Sequence, residues 1–146
     1  MCLNIEIKDL GNYIRIEPLQ RLYYGSDLDW DKNWISTKIT VVAGAFNGTY
    51  IADLTTFDFK NFNHDLHNLY DNLNGSLEFR DLEGYVKLVI KGDGIGHFNL
   101  RAICCDRPGL DSAELRFELS FDQTFIRPMV NSLKQITEKF PIIGDY

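Results

Sequence analysis

Cysteine is scarce and odd in number, three among 146 residues. Three thiols cannot close a paired disulfide framework. Cys104 and Cys105 are adjacent, so on a strand they point to opposite faces and are expected to stay reduced. Long apolar runs are missing as well. The longest spans a few residues, far short of the ~20 that cross a bilayer. Segment 1–8 alternates apolar and polar residues and does not place an apolar run behind basic ones, so a secretory signal is not expected. A cytoplasmic location is the expectation that follows. Positive charge is also in short supply. Fifteen Lys and Arg face 21 Asp and Glu, for a net charge of −6, and no basic run occurs. Phosphate binding needs clustered cations, so no nucleic-acid partner is expected. An acidic balance suits a basic protein partner, and it equally suits an ordinary soluble protein kept apart by like charge.

What is present is globular material: 45% hydrophobic, 25% charged and 13% aromatic. That is enough apolar side chain for one domain over residues 1–146 to close a core. Alternation of period two recurs along the chain. Leu3, Ile5 and Ile7, then Ile14 and Ile16, predict two short strands with Gly11-Asn12 as the turn between them. Residues 19–32 break the alternation and carry Gly25-Ser26-Asp27, which predicts a loop. Ile35, Thr37, Ile39, Val41 and Ala43 predict a longer strand, and Asn47-Gly48 a hairpin turn into residues 49–54. Thr55 and Asp58 have capping-box spacing, and Phe59, Phe62, Leu66, Leu69, Tyr70 and Leu73 follow on one helical stripe. A helix near 56–73, stopped by Asn74-Gly75, is therefore expected. Four further strands are expected at 76–80, 85–91, 97–105 and 113–121, the last with Leu115, Phe117, Leu119 and Phe121 inward. A second helix near 125–139 buries Phe125, Met129, Leu133, Ile136 and Phe140, with Pro128 in its first turn.

The succession of hairpin and helix occurs twice. Phe62, Leu66 and Leu69 match Ile126, Val130 and Leu133 at an offset of 64, as do Asp58 and Asp122. This hints at internal duplication. The implied fold class is α+β: an antiparallel sheet of about eight strands, strongly curved or in two layers, with both helices on its apolar face. Tyr13, Arg15 and Glu17 then lie on the opposite face, open to solvent or a partner.

Candidate chemistry is thin. Asp27, Asp29, Asp31 and Asn33 alternate as in the first half of a calcium loop, but Lys32 stands where that loop needs glycine and Lys38 where it needs a bidentate glutamate. No metal site is expected there. With Trp30 and Trp34 interleaved, the segment reads instead either as an acidic, aromatic anchor for a protein partner, or as a solvated loop with one Trp sealing the core edge. His64 and His67 have ligand spacing but no third donor, and read as exposed side chains. Gly92-Asp93-Gly94-Ile95-Gly96 joins two strands, whereas a phosphate loop must lead into a helix, so it reads as a tight hairpin. Cys104 and Cys105 precede Arg107-Pro108-Gly109 with no base and no helix N-terminus to activate a thiol. No catalytic residue and no cofactor is nominated.

The order of features resembles a known family. Asp29-Trp30 and Asn33-Trp34 lead into a strand, and Gly44, Phe46 and Gly48 mark a hairpin. Leu54-Thr55 and Asp58 open a helix carrying Phe62, Leu66, Leu69 and Tyr70. Gly92, Gly94 and Gly96 mark a second hairpin, and after strand residues 115–119, Asp122-Gln123-Thr124 introduces a Pro-containing helix ending at Phe140-Pro141. From about Asp29 onward the chain resembles the WapI-type immunity family of bacterial contact-dependent toxin systems and related bacterial domains. The resemblance implies a non-enzymatic, cytoplasmic protein that neutralises a cognate toxin by stoichiometric binding. The expected contact surface comprises Asp27, Asp29, Trp30 and Asp31, facing a basic toxin domain. Two other readings remain open: a small enzyme or ligand-binding domain with a pocket between sheet and helices, and a homo-oligomer joined through an exposed strand edge.

Overall fold

The computed structural model describes residues 3–109 and 111–146; Cys2 lies outside them. The alternating segments form strands β1 (Ile5–Asp9), β2 (Asn12–Arg21), β3 (Trp34–Ala43) and β4 (Phe46–Thr55), followed by helix α1 (Thr56–Asn72). Strands β5 (Asn74–Arg80), β6 (Val86–Asp93), β7 (His97–Cys105) and β8 (Glu114–Asp122) lead into helix α2 (Ile126–Lys139). The strands pair antiparallel and only with sequence neighbours, giving two four-stranded meanders, β1-β2-β3-β4 and β5-β6-β7-β8. The expected α+β class with two helices is thus found, and the sheet is in two layers, with no strong curling needed.

Each strand buries alternate residues: Ile5 and Ile7, Ile14 and Ile16, Ile35 and Ile39, Leu88 and Ile90, Leu100 and Ala102, Leu119 and Phe121. These side chains and the helix stripes form one continuous hydrophobic cluster spanning both halves. The helices pack on each other, and each also reaches across to the first strand of the other half, α1 to β5 and α2 to β1. The cap of α1 is the predicted box: Asp58 N–H donates to Thr55 Oγ1 at 3.2 Å and Thr55 N–H to Asp58 Oδ2 at 2.8 Å. Pro128 is the third residue of α2, where no helical donor is lost.

Five expectations are corrected. The hairpin between β3 and β4 turns at Gly44-Ala45, not at Asn47-Gly48, which lie inside β4 opposite Val42 and Val41. A turn at Asn47-Gly48 would pair Ile39 with Thr56 and run the strand into the helix cap, so the stronger local turn signal yields to the helix start. Gly44, at φ 62°, supplies the left-handed residue the turn needs. The β1–β2 turn sits at Leu10-Gly11, both with positive φ, one residue before Gly11-Asn12. Strand β2 runs on to Arg21 through an irregularity between Pro18 and Gln20, so the loop begins after residue 21 and not at Leu19. Leu73, in the left-handed region, caps α1, and Asn74-Gly75 already belong to β5. At the start of α2, Ile126 is buried while Phe125 is 38% exposed.

The duplication is real in form but its offset is 67. Phe59, Phe62, Leu66 and Leu69 correspond to Ile126, Met129, Leu133 and Ile136, all buried, and the capping residue Thr55 corresponds to Asp122. A shift of three residues keeps an amphipathic stripe nearly in phase, which is why an offset of 64 matched part of it.

Candidate functional site

The loop of residues 22–33 leaves β2, makes a single 3-10 turn at Trp30–Asn33 and enters β3. Its inner side is held by buried polar groups. Asn33 is fully buried: its Nδ2 donates to Asp29 O at 3.2 Å and Ile143 O at 3.0 Å, and its Oδ1 accepts from Ile143 N–H at 2.8 Å and Thr56 Oγ1 at 3.1 Å. The side chain read as a would-be calcium ligand is therefore the knot joining loop, helix start and C-terminal tail. Arg21 turns inward and donates to the carbonyls of Lys32 and Pro141. Burial lowers its guanidinium pKa below the usual value. Trp30 stacks on Phe57 with centroids 4.9 Å apart and meets the edge of Tyr146 at 5.8 Å, which tapes the loop to α1 and the tail.

The outer side of the loop is acidic and apolar. Tyr23, Tyr24 and Leu28 are 57%, 70% and 64% exposed, more than Trp30 at 38%. Asp27 is exposed. Asp29 meets Lys32 Nζ at 3.4 Å, and Asp31 accepts Ser26 Oγ at 2.8 Å. Of the four residues expected to form a contact surface, Asp27 makes no hydrogen bond or ion pair among the described residues, Asp29 and Asp31 are partly engaged within the loop, and Trp30 is half structural.

The fold adds residues that sequence reasoning missed. Asp53 of β4 and Glu83 of the β5–β6 turn join Tyr23, Asp31 and Trp34 around one open concavity of about 330 Å³. The β5–β6 turn is set by Asp81, which is buried and accepts N–H groups from Gly84 at 3.1 Å and Val86 at 2.8 Å, presenting Glu83 and the 61%-exposed Leu82 outward. No sequence signal joins residues 31, 53 and 83, which lie on three elements.

Other concavities differ in chemistry. Those along the outer face of the second sheet, about 430 and 550 Å³, are lined by Lys87, Arg101 and Arg116 in one case and Lys91, His97 and Asp122 in the other. Lys87 meets Glu78 at 3.6 Å, Arg101 meets Glu118 at 2.9 Å and Arg116 meets Glu114 at 3.4 Å, so that face is largely self-neutralised. Between α1 and β5, Asp58, Asp65, Glu78 and Arg80 line an open groove. Burial raises the Asp58 pKa above the usual carboxylate range. His64 and His67 are exposed, the latter 3.7 Å from Asp71. Cys104 and Cys105 are free and buried, and burial pushes the Cys104 thiol up to about 12, away from nucleophilic chemistry. Gly92 to Gly96 form the tight hairpin, in which Asp93 accepts N–H groups from Ile95 at 2.8 Å and His97 at 3.0 Å. Among the described residues no three His, Cys, Asp or Glu side chains converge as metal ligands. No helix of the structure is long and apolar enough to cross a membrane.

Comparison with known proteins adds two findings. The Immunity protein WapI-like family model matches residues 4–141. Among solved structures, the plant transcriptional regulator PBF-2 is similar at 15% identity and a TM-score of 0.50, over 96% of this chain and 82% of that one. WHY1 from Arabidopsis thaliana is similar at 14% identity and a TM-score of 0.49, over 99% of this chain and 86% of that one. At such identities the likeness concerns the fold alone. No curated protein matches the chain in sequence.

Proposed function

The chain belongs to the WapI-like immunity protein family, and from that premise we propose that it neutralises a protein toxin by stoichiometric binding in the bacterial cytoplasm, without catalysis. The observation that carries the choice of surface is the loop on which Tyr23, Tyr24 and Leu28 stand exposed near Asp27 in sequence, with Tyr23 and Asp31 sharing a concavity with Asp53 and Glu83. Exposed aromatic and aliphatic side chains supply the desolvated centre of an interface. The carboxylates around them steer a basic partner and select against acidic ones. The cations near this end are engaged: Lys32 is paired with Asp29 and Arg21 is turned inward. The same surface repels nucleic-acid phosphates, consistent with a protein partner.

The test is binding to the toxin domain encoded beside the gene, by calorimetry at low and high salt. Reversal at Asp27→Lys, Asp53→Lys and Glu83→Lys together is expected to weaken binding at least about tenfold and to flatten its salt dependence, since close like charges across an interface are costly. The urea midpoint should hardly move. Unchanged affinity would remove this surface from the interface. A wild-type protein that binds no neighbouring toxin domain would overturn the immunity reading itself.

A further inference from the structure

The two halves of the chain are related closely enough that a missing contact is informative. Strand β1 lies against β8, the last strand of the other sheet, and Asp9 Oδ2 takes the Ser120 N–H at 3.1 Å. The matching contact would set β5 against β4. Among the described residues β5 is not paired with β4 and lies along α1 instead. Among the described residues, 46–51 of β4 thus form a sheet edge with no strand paired to it: Phe46 is 68% and Ile51 52% exposed, and Tyr50 alone turns inward, its hydroxyl donating to Tyr85 O.

Edges in proteins are usually blunted by charge, proline, a bulge, shortness or cover. Strand β1 is short, β8 points Glu114, Arg116 and Glu118 outward, and β5 is covered by α1. Residues 46–52 of β4 contain no charge and no proline, and their pairing with β3 runs without a register shift.

We propose that this edge pairs with the same edge of a second copy of the chain, antiparallel about a two-fold axis at Thr49. A two-residue hairpin closes on a hydrogen-bonded pair, here Ala43 and Phe46, so Asn47, Thr49 and Ile51 direct their N–H and C=O groups to the open side. An axis at Thr49 sets Thr49 opposite its copy as a bonded pair, Asn47 opposite Ile51 and Gly48 opposite Tyr50. Gly48 leaves a gap in the edge, since a Cβ placed there meets nothing within 4 Å. Tyr50 of the second copy falls on the same face as that gap, its ring stacked on its own Tyr85 and its hydroxyl donating to Tyr85 O at 2.7 Å, so the pairing rests on the backbone and on Thr49. The contact is isologous, as closed dimers require, and sets no charge against a like charge. Asp53 and the acidic end lie beyond the paired segment, so both copies keep the proposed toxin surface open.

Sedimentation velocity from low micromolar to near-millimolar protein should show a monomer passing to a dimer. Thr49→Lys, which sets two ammonium groups opposite each other at the axis, should weaken dimerisation at least about tenfold. Its urea midpoint should match the wild type, because Thr49 is exposed. Register is read separately in a Cys2→Ser background. Thr49→Cys should cross-link under mild oxidation, because bonded antiparallel pairs stand about 5.5 Å apart at Cα, within disulfide reach. Asn47→Cys, set opposite Ile51, should not. A monomer at every concentration, a dimer indifferent to Thr49→Lys, or equal cross-linking at positions 47 and 49 would each overturn the proposal.

Discussion

Between β2 and β3 the chain takes residues 22–33; at the matching place in the second half, between β6 and β7, it takes only Gly94-Ile95-Gly96. The short connection is wholly structural. A Cβ on Gly92 would stand 2.5 Å from Leu73 O, so glycine lets the end of α1 approach, and Gly94 N–H then donates to that carbonyl at 2.9 Å. The long connection holds itself with Asn33, Asp31 and Trp30 and still has Tyr23, Tyr24, Asp27 and Leu28 left over, exposed side chains that make no side-chain hydrogen bond or ion pair among the described residues. Two copies of one framework thus separate what the fold needs from what has been added to it, and the addition is where binding is proposed.

If the halves share one core, the strongest way to break the comparison is to damage equivalent positions. Leu66 and Leu133 are both fully buried and occupy the same place in the two helices. Leu66→Ala and Leu133→Ala should each cost about 3 kcal/mol, since deleting a buried leucine loses transfer free energy and leaves a cavity. Both should lower the midpoint of a single urea transition read by circular dichroism and by tryptophan fluorescence. Two separated transitions would mean that the repeats fold as independent units.

The second test addresses the loops. Asn33→Ala removes a fully buried amide and strands the Ile143 backbone groups and the Thr56 hydroxyl, so it should cost about 2 kcal/mol. Amide exchange at Ile143 should rise in the variant, while exchange at Ile95 and His97 in the glycine turn stays as it was. Uniform acceleration would show that the loop is not a separate structural unit.

The residues show what was legible and what was not. Alternation and helical stripes are local, so the strands, both helices, the Thr55–Asp58 cap and the place of Pro128 could be read directly. The β3–β4 register could not, because it is decided by a competition between Asn47-Gly48 and the helix start at Thr56, two signals that act on the same strand from opposite ends. The true offset of 67 could have been found by aligning the caps, Thr55 with Asp122, before the stripes. Of the candidate site, the acids and Trp of residues 27–31 were visible as a cluster. Asp53 and Glu83 were not, because the pairing of β4 with β3 brings the one beside Asp31 and the packing of the second half on the first brings the other. Asn33 was visible as a polar residue among acids, and only its complete burial revealed a structural role.

The subtlest difference between the halves lies at the helix starts and concerns sign more than size. Asp122, beside α2, accepts from the Thr124 side chain and the Thr124 N–H, which hold its carboxyl below the usual range. Asp58, in the first turn of α1, is raised above that range by burial, which outweighs the hydrogen bonds from Thr55 and the Leu82 backbone. A lowered folded-state pKa gives stability that is present above the ordinary carboxylate range and lost as pH falls through the folded value. A raised one gives stability that is full below the ordinary range and lost as pH rises through the folded value. The stability difference between wild type and Asp122→Asn should therefore shrink on acidification, while that between wild type and Asp58→Asn should grow. Urea titrations at several pH values measure both slopes, and carboxyl-carbon NMR should place the Asp122 midpoint below that of Asp58. Slopes of the same sign would mean that the Thr55 bonds, and not burial, govern the first helix start, and that the two caps are electrostatic equivalents after all.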